Sequence, residues 1–94
     1  MICIRRLVWD TWNVAHIARH QVTSDEVEEV CNGRPTFSET YKERLRVVGP
    51  TNAGRFLTVI LAHEGNDAYY VITARPASRR ERRRHQELLG DETQ

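Results

Sequence analysis

The stretch DAYYVITARPASRRERRRH, residues 67–85, changes character in its middle, and that change sets the fold. Tyr69 to Thr73 is aromatic and β-branched, the composition of a strand on a half-buried pleated surface. Pro76 ends it, because proline has no N–H for a ladder and fixes its own φ. Ser78 then sits where it can cap a helix whose first turns hold Arg79, Arg80, Arg82, Arg83 and Arg84. A rigid strand thereby delivers Arg75 to the edge of a sheet where a cluster of guanidiniums begins. Five arginines against one carboxylate, Glu81, make a local field that the net charge of +1 conceals. Its natural partner is a polyanion.

Working outward, three more strand-like runs precede this one: Phe37 to Tyr41, Leu45 to Val48, and Phe56 to Ala62. Their connections are short and rich in Gly, Asn and Pro, which implies antiparallel hairpins and hence a meander. Strict alternation puts Tyr69, Val71, Thr73 and Arg75 on one face of the last strand. It likewise groups Arg55 with Leu57, Val59 and Leu61, and Arg44 with Arg46 and Val48. With the strands paired in order, arginines from three of them are expected to gather on one open face.

The N-terminal third is helical in pattern. Ile2 to Val8 suits a short strand, and Asp10 can cap the helix expected over Thr11 to His20, with Val14, Ile17 and Ala18 as its buried stripe. Thr23-Ser24-Asp25-Glu26 is a capping box, and Val22 with Val27 forms a hydrophobic staple around it. Val27, Val30 and Cys31 line the second helix, which Asn32-Gly33 ends. The final helix is expected from Ser78 to about Leu89, with Leu88 and Leu89 as anchors and 90–94 as a disordered tail. The fold class is therefore α+β: two N-terminal helices and one basic C-terminal helix on a small antiparallel sheet, made of a four-strand meander plus a short N-terminal strand. One domain spans 1–94.

Composition narrows the setting. Hydrophobic residues at 39% and charged residues at 29% suit a globular domain, and no run approaches the roughly 18 apolar residues of a membrane span. The start MICIRRLVW brings charge directly after four apolar residues, unlike a secretory leader. Cys3 and Cys31 are too few for a disulfide framework or a metal site and read as buried thiols of a reducing cytoplasm. His16 and His20 have a zinc-compatible spacing but no third ligand beside them, so no metal and no cofactor are expected.

The runs WDTWNVAHIARHQVTSDEVEEV, GRFLTVIL and VITARPASRRERRRH together resemble the BrnT-type toxins of bacterial type II toxin–antitoxin systems, small RelE-like ribonucleases. The family pattern falls on Trp9 and Asp10, His20, Arg44, Gly54-Arg55, Ala74-Arg75, and Arg79, Glu81 and Arg82. Gln21 stands where the commoner members have glycine, and His85 where an aromatic is usual. The resemblance implies metal-independent cleavage of RNA, toxicity to the producing cell and neutralisation by an antitoxin protein, with a heterotetramer as one form of the complex.

Cleaving RNA without a metal needs a base near the 2′-OH, positive charge on the phosphate oxygens and an acid for the leaving 5′-oxygen. Arginine suits the second task, since its fork binds phosphate at two points and keeps its charge. Arg55, Arg75 and Arg79 are the candidates, with His20 as acid or phosphate contact at a helix C-terminus. Arg44, Tyr69, Thr73, Arg80, Arg82 and Arg83 complete an expected RNA-binding face. Each has a bland alternative: a solvated arginine, a histidine satisfying its own helix end, a core aromatic. Trp9 and Tyr70 are expected to be buried. The competing class is a non-catalytic binding module with the same basic face; a DNA-contacting regulator lacks any helix-turn-helix pattern.

Overall fold

A five-stranded sheet in the order β1-β5-β4-β3-β2 organises the computed structural model, which describes residues 2–90. The elements run β1 (Arg6–Val8), α1 (Thr11–Ala18), α2 (Ser24–Asn32), β2 (Thr36–Thr40), β3 (Arg44–Pro50), β4 (Phe56–Gly65), β5 (Ala68–Pro76) and α3 (Arg79–Gly90). β2 to β5 form the expected antiparallel meander. β1 instead lies parallel to β5, with Leu7 abreast of Tyr69, so the sheet is mixed. No hairpin joins those two strands, so turn chemistry does not dictate their direction. Of the expected tail, Gly90 closes α3 and 91–94 lie outside the described residues.

Alternation on β4 divides the molecule into two layers. Leu57, Val59 and Leu61 are fully buried on the face that α1 and α2 cover, with Ile17, Val22, Val27, Val30, Val47, Val71 and Ala74. The other face carries Thr58 and receives α3. Gly49 permits the close crossing of the chain, since a Cβ there would meet Pro35 Cα at 3.0 Å.

Several local expectations change in the tertiary setting. α1 buries Asn13 and Ile17, while Val14 and Ala18 are exposed. Asn13 replaces an apolar contact with a polar tie: its Nδ2 donates to Val8 O (3.0 Å) and Val71 O (3.1 Å), and its Oδ1 accepts from Asp10 N (2.9 Å). α1 also stops at Ala18, two residues early. Val22 N–H reaches back to Ile17 O and Gln21 N–H to Ala18 O, the paired bonds of a Schellman turn, with Gln21 at φ 60°. Trp9 and Tyr70 are half-buried because each sends its polar atom to a carboxylate, Glu28 and Asp10 respectively. Cys3 is exposed and Cys31 half-buried.

On α3 the expected anchors also shift. Leu88 is exposed, and the buried residue is His85, packed edge-on to Phe56 at 5.3 Å with Nδ1 3.3 Å from Thr36 Oγ1. Burial pushes the His85 pKa down, against a backbone hydrogen bond at Val48 that raises it.

Candidate nucleic-acid interface

The site is built where β5 hands over to α3. Arg75, next to last in β5, projects toward α3, and the helix returns Glu81 to meet it. Arg75 Nη1 donates to Glu81 Oε1 and Nη2 to Oε2, each at 2.9 Å. Ser78 and Glu81 form a capping box: Ser78 N–H donates to Oε1 (2.8 Å) and Glu81 N–H to Ser78 Oγ (3.1 Å). From beneath, the fully buried Thr58 donates its hydroxyl to Oε1 at 2.9 Å. Arg75's hydrogen bonds, with help from Ser78 and Thr58, hold the Glu81 carboxyl down at about 2, although burial pushes the other way. Glu81 is thus fixed as a carboxylate, and Arg75 as its forked partner.

Around this pair the basic turns of α3 stay uncommitted. Arg79, Arg80, Arg83 and Arg84 are exposed and make no ion pair among the described residues. Arg82 lies 5.1 Å over the Phe56 ring. Arg79, Arg82 and Arg83 line an open recess of about 430 Å³ with Ala77 and Gln86. Thr73 is half-buried two residues before Arg75, on the face opposite the buried Ala74.

Of the other expected arginines, Arg44 and Arg46 alternate with Val48 opposite Thr58 and so keep to the face of Arg75, whereas Arg55 does not, which corrects the expectation of one face shared by three strands. Arg55 belongs to the α1–α2 layer. Its Nη1 donates to Gln21 O (2.7 Å) and to both oxygens of Glu26 (3.2 Å), and its Nη2 to His20 O (3.4 Å). Arg55 and Arg75 sit at one end of the sheet, since Leu57 pairs with Pro76, but on opposite faces. His20 is exposed in the turn after α1. Arg44 begins β3 at the far end, four residues from Val48, or about 13 Å at the rise of a strand.

Tyr69 is separated from Arg75 by a bulge. Ile60 pairs with Thr73 and Leu61 with Val71, so Ile72 is an extra residue that resets the alternation. Tyr69 consequently shares the core-facing side with Val71, against the His63 ring at 5.1 Å, while Thr73 and Arg75 face α3. A uniform period of two could not show this. Glu81 and Thr58 were absent from the expected site; Ser78-x-x-Glu81 has the spacing of a capping box and was the available signal for the first. Nothing in the sequence marks Thr58. Among the described residues, no three His, Cys, Asp or Glu side chains are placed to hold a metal ion.

The fold has a counterpart among solved structures. One match is the ribonuclease toxin BrnT of Brucella abortus. The match to that crystal structure has a TM-score of 0.64 at 27% identity and covers 79% of this chain and 97% of BrnT. The α+β arrangement is therefore that of a BrnT-like fold, and the correspondence takes in nearly all of the BrnT chain. The sequence matches no family model, and a search of curated proteins finds no match. No described helix is long and apolar enough to cross a membrane.

Proposed function

We propose that this protein is the toxin of a toxin–antitoxin pair, a metal-independent endoribonuclease whose antitoxin partner covers the arginine helix, in a complex expected as a heterotetramer. The observation that carries the reading is the Arg75–Glu81 fork at the head of α3, ringed by unpaired guanidiniums, on a fold similar to that of a ribonuclease toxin. The resting pair is arranged for exchange. A scissile phosphate can take the two Arg75 nitrogens that Glu81 now holds, because both ligands are anionic and accept two parallel hydrogen bonds. Glu81, released from its main stabilising partner, regains basicity beside the sugar and accepts the 2′-OH proton as that oxygen bonds to phosphorus. The P–O5′ bond breaks to leave a 2′,3′-cyclic phosphate, and the departing 5′-oxygen takes its proton from water. Arg79, Arg82 and Arg83 bind the flanking phosphates.

A second reading is a non-catalytic RNA- or partner-binding module. It is favoured by one observation: both Arg55 and Arg75 are already engaged by carboxylates. Incubating the purified protein with RNA in the presence of a chelator separates the two. The first reading expects cleavage, and about a 10²–10³-fold loss in Arg75→Ala, the usual effect of removing a charge-stabilising donor. Binding without cleavage by the wild-type chain would establish the second.

A further inference from the structure

The geometry points to a second RNA contact on the outward side of α1, where Trp12 and His16 form a stacking platform for an unpaired base and Arg19 binds the adjoining phosphate. This rests on the reading of the protein as one that acts on RNA, and adds a surface remote from the Arg75 site.

Trp12 is 61% exposed, and its ring lies flat against His16, with centroids 4.9 Å apart and planes within 7°. His20 continues the row edge-on to His16 at 6.1 Å. These residues recur every four positions, so they form a line up one side of a helix whose inner face is already supplied by Asn13 and Ile17. The core does not require an indole at position 12. Trp12, Ala15, His16 and Arg19 line a hollow of about 350 Å³, and Arg19 has no ion-pair partner among the described residues. No carboxylate occurs between Thr11 and Ser24. Flat exposed rings and free positive charge on a stretch that carries no carboxylate of its own are the chemistry that holds single-stranded nucleic acid.

The position fits a strand that also reaches Arg75. Arg55 ties itself to the carbonyls of His20 and Gln21 at the end of the row, immediately before β4. That is the end of the sheet where Leu57 pairs with Pro76 and α3 begins. An RNA chain lying along α1 is therefore directed toward the arginines of α3, around the rim of the sheet.

The test is fluorescence anisotropy with a labelled 2′-O-methyl RNA oligonucleotide, which cannot be cut because its nucleophile is blocked. Trp12→Ala should weaken binding by about 5- to 100-fold, the range for losing one base–aromatic stack, while Trp12→Phe retains most of the affinity. Arg19→Ala should lower affinity and reduce the salt slope by about 0.7. Melting temperatures should fall by no more than a few degrees, since Trp12 is mostly exposed and stands outside the core. Wild-type affinity in Trp12→Ala overturns the inference, and a drop in oligomeric mass for that variant would assign the face to self-association instead. Neither result touches the cleavage assay on Arg75→Ala, whereas a wild-type chain that neither binds nor cuts RNA removes the functional reading and this inference together.

Discussion

Arg75 and Glu81, six residues apart in the chain, share two parallel hydrogen bonds of 2.9 Å across the junction of β5 and α3. One carboxylate thus closes the first turn of the helix and fixes the guanidinium of the strand. Folding and the candidate chemistry therefore depend on the same oxygen atoms, and a change at either residue is felt in both.

The pair should give stability an acid limb. The Glu81 carboxyl lies at about 2, against an ordinary 4.5, so its contribution is complete above pH 4.5 and disappears as the pH falls toward 2. A gap of that size corresponds to about 3 kcal/mol at full strength, but the Arg75 side chain is 40% exposed and solvent screening reduces it to about 1–2 kcal/mol. Urea midpoints measured from pH 6 to pH 2 should show wild type and Glu81→Gln converging as the pH drops. Parallel curves would mean that the pair contributes nothing that titrates.

Asn13 should be among the costliest polar positions to change. It is fully buried and joins α1 to both β1 and β5 through Val8 O and Val71 O. Asn13→Leu keeps the approximate volume but strands those carbonyls and the Asp10 N–H, at a cost of about 2–3 kcal/mol. Equilibrium denaturation reads this directly, and a loss below about 0.5 kcal/mol would show that the turn relaxes to find other partners.

Gln21 should be improvable. It holds φ 60° at the turn that ends α1, where an L residue bears about 1–2 kcal/mol of crowding. Glycine removes that strain but gains freedom in the unfolded chain, which takes back about 0.5–1 kcal/mol. Gln21→Gly should therefore raise the melting temperature by a few degrees, and Gln21→Ala should not. Equal behaviour of the two variants would place the origin of the conformation elsewhere.

The two thiols should differ sharply in reactivity. Burial, with the nearby Glu28 charge, pushes the Cys31 pKa up to about 12, whereas Cys3 is exposed. At pH 8 an aromatic disulfide reagent should label one thiol per folded chain, and Cys3→Ser should abolish that fast phase. The second thiol should react only when denaturant is added.

Local chemistry written in a few adjacent residues was enough to specify the two N-terminal helices, the Thr23–Glu26 cap, the order of the four meander strands and the arginine-rich helix after Pro76. Capping, turn formation and alternation act over one to four residues, so sequence spacing carries them. The direction of β1, the bulge at Ile72, the partner of Arg55 and the seat of Glu81 on Thr58 belong to the assembled molecule. Each depends on segments far apart in the chain: Glu26 reaches Arg55 across 29 positions, and Thr58 reaches Glu81 across 23. One additional residue in β5 turned Tyr69 inward and Arg75 toward α3, and only the register of the whole sheet could decide that.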